Sequence, residues 1–326
     1  MKLVVVTGCL GFIGMHVTKA CLEKGWKVYG IDKGTYAANE LDDLFQFCDG
    51  LKHWENFSFI EEDICTIGDI PSCDYVINTA AETHVGNSII DSKDFIQTNI
   101  NGVKNLLDII RRKPANISRK PILLHFSTDE VYGDIVRGSH TESSPLAPSN
   151  PYSASKASAV MLINALARTY GIEYLIVRPA NNYGMYQYPE KLIPLVVKHL
   201  QVGRKIRLHN EGKPIRNWLH AHDTANAVIK IIESGKVNEV YNISGNFEQT
   251  NNDTVLKIVN SYFNRSHKIF YENVENLLDL CYIREGQDVR YAVDDSKLRK
   301  LGWRPEKIFD EEIDSIVEHF KNNFRW

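Results

Sequence analysis

The chain has 326 residues, of which 43% are hydrophobic and 24% charged, an ordinary composition for a globular protein with a full core. A net charge of −3 gives no basic surface of the kind that binds nucleic acid, and no apolar stretch approaches the roughly 20 residues that span a bilayer. Six cysteines occur without a C-x-x-C pair or a zinc-ligand spacing. We therefore expect free thiols, no metal site, no nucleic-acid or membrane partner, and a cytoplasmic location.

Apolar, β-branched runs alternate with helix-like segments through the first half of the chain. The predicted strands cover 3–7, 27–32, 57–60, 75–79, 122–127 and 173–178, and helical spacing occurs at 13–24, 94–112 and 152–170. This alternation predicts an α/β fold with a doubly wound parallel sheet. The pattern weakens after Pro179. We expect one domain over 1–180 and a smaller mixed α/β lobe over 181–326, with 216–235 a candidate to pack back on the first domain.

A glycine-rich turn directly follows the first predicted strand, with Gly8, Gly11 and Gly14 in G-x-x-G-x-x-G spacing. Glycines allow a tight turn, bring backbone N–H groups close to a pyrophosphate and let the next helix pack closely, as in Rossmann-like domains. Asp32 closes the second strand, where a carboxylate accepts hydrogen bonds from the adenine ribose and repels a 2′-phosphate. The pattern predicts NAD rather than NADP, although Lys33 stands beside Asp32. The alternative is a structural glycine turn with a solvated aspartate.

Two further pairs of residues are candidates for catalytic roles. Asp129 and Glu130 follow a predicted strand, and adjacent carboxylates there can act as acid and base beside a cofactor. Tyr152 and Lys156 are one helical turn apart on the same face, where an ammonium group would lower the pKa of the phenol. Each pair has a simpler explanation. Acidic residues favour helix N-termini, and a Y-x-x-x-K spacing is common by chance.

With the glycine turn, the Tyr152/Lys156 pair resembles the extended short-chain dehydrogenase/reductases. Further runs resemble one subgroup, the nucleotide-diphosphoglucose 4,6-dehydratases. They begin at residues 80, 127, 150, 181, 189 and 216, and read AAETHV, STDEVYG, NPYSASKA, NNYG, PEKLIP and RNWL. The resemblance extends from residue 3 to beyond residue 303.

The resemblance implies conversion of a nucleotide-linked glucose to its 4-keto-6-deoxy form, with NAD as cofactor. Tyr152 would remove the proton of the C4 hydroxyl, with Lys156 beside it and Thr128 polarising the new carbonyl. Glu130 would remove the C5 hydrogen. Asp129, protonated at the start, would protonate the departing C6 hydroxyl.

The resemblance also implies the binding residues. For the cofactor these are Gly8, Gly11, Phe12, Ile13, Gly14, Asp32, Lys33, Thr35, Asp63, Ile64, Ala80, Ala81, Thr83, Thr98, Ser127, Tyr152, Lys156 and Asn182. For the substrate they are Thr83, Thr128, Asn181, Glu190, Lys191, Leu192, Leu208, His209, Arg216, Asn251, Arg284, Gln287 and Arg290. Arg216 and Arg290 are the candidates for the diphosphate, because a guanidinium pairs with phosphate oxygens in a bidentate manner.

Departures from the thymidine-linked members of the family concern the nucleobase. Residues 284–288 read REGQD where those members typically have RPGHD, and His209 stands where they usually have Tyr. The dehydratase part of plant-type UDP-rhamnose synthases is more similar at His209 and several other places. We therefore expect UDP-glucose as the substrate, in deoxysugar and rhamnose biosynthesis, with dTDP-glucose as the alternative.

Two other functions stay open. A nucleotide-sugar 4-epimerase would share the glycine turn and the Tyr152/Lys156 pair but would not need Asp129 and Glu130. A non-enzymatic NAD-binding regulator would be expected to have lost one of these groups, and none is lost. Relatives are commonly dimers with a four-helix interface, so the resemblance implies a homodimer through 94–112 and 152–170.

Overall fold

Seven parallel strands form the main sheet of the computed structural model, which describes residues 1–113, 120–264, 275–282 and 288–323. The strands of the protein are β1 (Leu3–Thr7), β2 (Lys27–Asp32), β3 (Phe57–Glu61), β4 (Tyr75–Asn78), β5 (Ile122–Phe126), β6 (Tyr174–Pro179), β7 (Asn181–Tyr183), β8 (Ile206–His209), β9 (Ile215–His220), β10 (Glu239–Ile243), β11 (Glu248–Thr250) and β12 (Leu278–Tyr282). The helices are α1 (Phe12–Glu23), α2 (Leu41–Phe47), α3 (Val85–Ile90), α4 (Lys93–Ile96), α5 (Val103–Arg112), α6 (Pro151–Tyr170), α7 (Leu192–Gln201), α8 (Ala221–Ser234), α9 (Asn251–Tyr262), α10 (Ser296–Lys300) and α11 (Phe309–Asn322).

The main sheet has the strand order β10-β6-β5-β4-β1-β2-β3, and every pairing in it is parallel. Its central strands are buried on both faces, because successive side chains enter two different cores. In β1, Val4 and Val6 join the core that contains α1 and α8, whereas Val5 joins the core that contains α5 and α6. This arrangement confirms the predicted doubly wound, Rossmann-like α/β fold.

A smaller lobe follows the sixth strand. It contains a three-stranded sheet of order β11-β9-β7 and a two-stranded parallel sheet of β12 and β8. Residues of α7, α9 and α11 form its separate apolar core, with Val197, Ile258 and Ile316 among them. The lobe is therefore a mixed α/β unit, as predicted.

The chain crosses between the two units more than once. The predicted division at residue 180 has a single crossing and therefore does not include the later segments that return to the first unit. Helix α8 packs against α1 under the main sheet, and β10 pairs with β6 at its edge. Within the predicted segment 216–235, β9 belongs to the smaller lobe and α8 packs back on the first unit. A domain boundary at 180 stays a prediction.

The predicted helix over 94–112 is interrupted. Residues Gln97–Gly102 form a π-helical turn between α4 and α5. Asn99 in this turn is fully buried; its side chain accepts a hydrogen bond from the Glu82 backbone N–H at 2.9 Å, and donates to the Glu82 carbonyl at 3.0 Å and the Ser155 hydroxyl at 2.9 Å. A π-turn widens the helix locally, and here it accompanies an amide that ties the helix to α6 and to the segment after β4.

No helix in the described ranges is both long enough and apolar enough to cross a bilayer.

Candidate active site

A cleft with a cavity volume of about 290 Å³ lies at the carboxyl ends of β1, β4, β5 and β6. The strand order reverses direction between β1 and β4, and ligands of open α/β sheets bind at this kind of switch point. All the residues predicted to bind the cofactor line the cleft. So do five of the predicted substrate residues, Thr83, Thr128, Asn181, Glu190 and Lys191, and all five predicted catalytic residues.

The glycine turn forms the floor of the cleft at its cofactor end. Gly8 has φ +74°, and a β-carbon there would lie 2.6 Å from the Ala80 backbone nitrogen. A β-carbon on Gly14 would lie 1.9 Å from the Gly8 carbonyl oxygen. Both positions therefore need glycine, and the backbone N–H groups at the start of α1 stay accessible to a pyrophosphate.

Asp32 and Lys33 occupy the end of β2, beside the turn. The Asp32 carboxylate accepts hydrogen bonds from the backbone N–H groups of Leu10 and Gly34, both at 3.0 Å, which fixes its orientation. Each carboxylate oxygen can accept further bonds, so ribose hydroxyls fit this position. Lys33 is held by Asp63, with Nζ 3.1 Å from a carboxylate oxygen. The cation that could have favoured a 2′-phosphate is thus paired, and the residues present fit NAD.

The carboxylate pair begins a short 3₁₀ helix directly after β5. Thr128 caps this helix: its hydroxyl accepts the Glu130 backbone N–H at 3.3 Å and lies 3.2 Å from an Asp129 carboxylate oxygen. Asp129 is 3% exposed, and its second oxygen has no hydrogen-bond partner among the described residues. Burial, and then the charge of Glu130, raises the pKa of Asp129 to about 7, although Thr128 and Arg216 act in the opposite direction. The two carboxyl groups therefore differ in environment, as an acid and a base require.

Tyr152 and Lys156 lie on the first turns of α6 and face the same cleft. The helix starts where it does because Asn150 caps it, accepting the Ser153 backbone N–H at 2.9 Å, and because Pro151 is favourable at the first helical position. Both side chains are buried. The pair is thus part of the cleft and not a chance match on the surface.

Burial of both groups acts against the predicted lowering of the phenol pKa by Lys156. Burial, followed by the charges of Glu130 and Asp129, raises the pKa of Tyr152 above its usual value, and a hydrogen bond with Thr128 offsets this only in part. Burial also lowers the pKa of Lys156 to about 7. The sequence spacing placed an ammonium beside the phenol, but it did not show that the same burial disfavours the charged form of both groups.

A row of buried polar side chains crosses three strands below the cleft. The Thr7 hydroxyl lies 2.6 Å from the Asn78 amide oxygen, and the Asn78 amide nitrogen lies 3.1 Å from Nδ1 of His125. Burial, and then the charge of Lys156, lowers the pKa of His125. These three residues were not predicted from the sequence. A histidine inside a continuous apolar strand was the signal that could have identified them.

The other predicted substrate residues that the structure describes do not line the cleft. Leu192 starts α7, Leu208 and His209 end β8, and Asn251 starts α9. Arg290 forms a bidentate pair with Glu248, with N–O distances of 2.7 and 2.8 Å. Arg284 and Gln287 lie outside the described residues.

Arg216 is buried and connects the smaller lobe to the acid pair. Its guanidinium lies 4.6 Å from the ring centroid of Tyr291 and donates to the Asp288 carbonyl at 3.2 Å. The Tyr291 hydroxyl donates to the Asp288 carboxylate and lies 3.5 Å from a Glu130 carboxylate oxygen. Sequence reasoning missed Tyr291, although it directly follows the predicted residue Arg290.

The parallel sheet, the glycine turn after β1 and the Tyr152/Lys156 pair define an extended short-chain dehydrogenase/reductase. Residues 5–316 match the sequence model of the family described as GDP-mannose 4,6 dehydratase. A dTDP-glucose 4,6-dehydratase of Neisseria meningitidis serogroup B is 37% identical over 342 residues, which cover 100% of this chain and 95% of that protein. The chain belongs to the nucleotide-diphosphoglucose 4,6-dehydratases.

Solved structures agree with this assignment. The dTDP-glucose 4,6-dehydratase DesIV of Streptomyces venezuelae, crystallised with NAD bound, has a TM-score of 0.86 and 33% identity, with coverage of 98% of this chain and 97% of that one. A UDP-glucuronic acid 4-epimerase of Bacillus cereus has a TM-score of 0.87 but only 22% identity, with coverage of 99% and 100%. The second likeness shows the shared fold alone.

Proposed function

We propose that the protein is a dTDP-glucose 4,6-dehydratase. The observation that carries the dehydratase chemistry is the buried Asp129–Glu130 pair beside Tyr152, in which the pKa of Asp129 is raised to about 7. Thymine as the nucleobase is supported by relatives that are 33–37% identical over nearly the whole chain and act on dTDP-glucose.

The preference for UDP-glucose that the sequence suggested finds no support in these comparisons. It rested on departures within the run 284–288, on His209 and on several other places of similarity to UDP-rhamnose synthases. The departing residues of that run, 285 and 287, lie outside the described residues, and His209 does not line the cleft. The dTDP alternative fits better.

The prediction of NAD as cofactor is confirmed, because solved relatives carry it. When bound, NAD would supply the hydride acceptor for C4 of the sugar and the hydride donor for C6. Gly8, Gly14 and Asp32 would hold its pyrophosphate and adenine ribose, and Lys156 its nicotinamide ribose.

The side chains of the cleft supply the proton transfers. The phenolate form of Tyr152, which burial disfavours and which the positive charge of bound NAD⁺ would favour, accepts the proton of the C4 hydroxyl. The resulting ketone acidifies the C5 hydrogen. Glu130 removes that hydrogen and Asp129 protonates the leaving C6 hydroxyl, so that water is lost across C5 and C6. Burial keeps Asp129 protonated near neutral pH, which suits this role as an acid.

The experiment that tests the proposal is incubation of the purified protein with dTDP-glucose and with UDP-glucose, separately and without added NAD. We expect a 4-keto-6-deoxy product from dTDP-glucose, with kcat/KM at least about tenfold above the value for UDP-glucose. Product from UDP-glucose only would contradict the nucleobase. No product from either substrate, with NAD then supplied, would contradict the dehydratase chemistry.

A 4-epimerase is the second candidate, because the fold is shared with solved epimerases. The acid pair argues against it, since inversion at C4 needs no acid at C6. A C4-inverted sugar as product, without a ketosugar that absorbs in alkali, would favour the epimerase.

We also infer a homodimer. Large apolar side chains are exposed on three neighbouring helices, with Ile90 of α3 86% exposed, Ile96 of α4 48% and Met161 of α6 60%. Helices α3 and α4 both pack on α6, so the three helices that carry these side chains are neighbours. Exposed apolar groups gathered in this way mark association surfaces, and a two-fold axis would pair the surface with its own copy.

A further inference from the structure

A thin wall separates the cofactor cleft from a second cavity of about 330 Å³. The wall consists of the loop 33–40 after β2 and the segment 186–191 after β7. Ala38, Gln187 and Tyr188 line both cavities, so the wall is one residue thick at these positions. The second cavity is bordered on its other side by His319 of α11.

One buried amide fastens the wall to the glycine turn. The Asn39 side-chain nitrogen donates to the carbonyl of Leu10, inside the turn, at 3.0 Å and to the carbonyl of Tyr186 at 3.2 Å. Asn39 is 8% exposed, and its bond to Leu10 is buried while that to Tyr186 is partly buried. The Asn39 backbone N–H also donates to the Leu10 carbonyl at 2.8 Å, so the side chain supplies the link from this residue to the segment 186–191.

A second contact closes the outer end of the wall. The Tyr36 hydroxyl donates to a Glu190 carboxylate oxygen at 2.8 Å, and its ring packs edge-to-face on Tyr188 at a centroid distance of 5.4 Å. The next residue, Lys191, donates to the Thr83 carbonyl at 3.0 Å, across the cleft. Residues predicted to contact the sugar nucleotide are thus held by the same wall.

The backbone of the wall is strained at Tyr186, which has φ +65°. A bulky residue in the left-handed region is unfavourable and persists only when its surroundings hold it. Here the ring packs against Phe47 at 5.2 Å and against His319 at 4.7 Å. Loss of the Asn39 and Tyr36 contacts would let this segment relax away from the cleft.

We propose that the wall is the exit gate of the cofactor, that Asn39 and Tyr36 hold it shut, and that opening it joins the cleft to the second cavity. A dehydratase returns its cofactor to the starting oxidation state in every turnover, so a slow gate is compatible with fast catalysis. The inference rests on NAD as the cofactor and does not depend on which nucleobase the substrate carries.

The test is the rate at which NAD leaves the holoenzyme, measured without substrate. Protein loaded with radiolabelled NAD is diluted into excess unlabelled NAD, and the retained label is followed by rapid gel filtration. We expect release to be about tenfold faster for Asn39→Ala and about threefold faster for Tyr36→Phe than for the wild type, since each loses hydrogen bonds that hold the gate closed.

Asn242→Ala is the matched control. The Asn242 amide also donates to two main-chain carbonyls, those of His140 and Asp294, both at 3.2 Å, but it does not line either cavity. We expect it to lower thermal stability without changing NAD release. Equal acceleration by this control, or wild-type release in both gate variants, would overturn the proposal. If Asn39→Ala fails to fold, Tyr36→Phe decides by the same criterion.

Discussion

At the scale of single residues, the site depends on the difference between two adjacent carboxyl groups. Asp129 is buried under the cleft with its pKa raised to about 7, whereas Glu130 lies beside the Tyr291 hydroxyl. Their order in the sequence does not assign the roles. The assignment follows from burial, because only a carboxyl group that stays protonated near neutral pH can deliver a proton to the leaving hydroxyl.

Replacement of Glu130 by Gln should stop exchange of the C5 hydrogen with solvent. The amide cannot accept the proton, so we expect exchange and product formation both to fall by at least about a hundredfold. The measurement is deuterium incorporation at C5 of dTDP-glucose in heavy water, followed by mass spectrometry. Glu311→Gln, on the exposed side of α11, is the control and should exchange normally. Undiminished C5 exchange in Glu130→Gln would exclude Glu130 as the base.

Replacement of Asp129 by Asn should separate the two half-reactions. We expect C5 exchange into recovered substrate to continue, while formation of the 4-keto-6-deoxy product falls about a hundredfold, because only the elimination needs the acid. In the wild type, product formation should decline as the pH rises through about 7, since Asp129 then loses its proton. C5 exchange measured at the same pH values should decline less. Parallel loss of both activities in Asp129→Asn would contradict the role of an acid at C6.

At the scale of elements, the π-helical turn between α4 and α5 positions the segment that follows β4. Its residue Asn99 bonds both backbone groups of Glu82 and the hydroxyl of Ser155 on α6. Glu82 itself lines the cleft. The interruption of a predicted continuous helix is thus a feature of the site, in which a buried amide replaces backbone pairing.

Replacement of Asn99 by Ala should lower the stability of the protein. Asn99→Ala removes the partner of both backbone groups of Glu82 and one of the two bonds of the Ser155 hydroxyl, which also donates to the Tyr152 carbonyl. We therefore expect the free energy of unfolding to fall by about 2–3 kcal/mol. Asn101→Ala is the control two residues away, because Asn101 is exposed and its side chain donates to the exposed side chain of Gln97. It should change stability by less than about 0.5 kcal/mol. Urea unfolding followed by circular dichroism measures both, and equal values would show that the turn does not depend on Asn99.

At the scale of the whole molecule, the exposed apolar side chains of α3, α4 and α6 supply a test of the proposed homodimer. Met161→Glu places a charge within that surface, so we expect the mass measured by light scattering to fall from about twice the 37.2 kDa chain mass to the monomer value. Val136→Glu is the control, because Val136 is 77% exposed in the loop after the 3₁₀ helix and not on those helices. A wild-type protein that is monomeric at all concentrations would contradict the dimer.

The sequence alone determined the first six strands of the main sheet and most of the cleft. Strands β1 and β2 end at the predicted residues. A short apolar strand that is followed by a glycine turn or an acidic residue can be recognised from the local sequence alone. The predicted cofactor residues lie together because the carboxyl ends of parallel strands meet at one edge of the sheet. Local pattern and sheet geometry were sufficient for these predictions.

Only the tertiary structure decided which groups are buried and which distant segments meet. It places β10 beside β6 after a long excursion through the smaller lobe, which no local pattern encodes. It lowers the pKa of Lys156 to about 7, where the spacing alone implied an ammonium. It also joins Asn39 to Tyr186, which are 147 residues apart in sequence. Desolvation and long-range contacts depend on the packed fold, and for that reason the sequence predicted the residues of the site but not their charge states or the wall that encloses them.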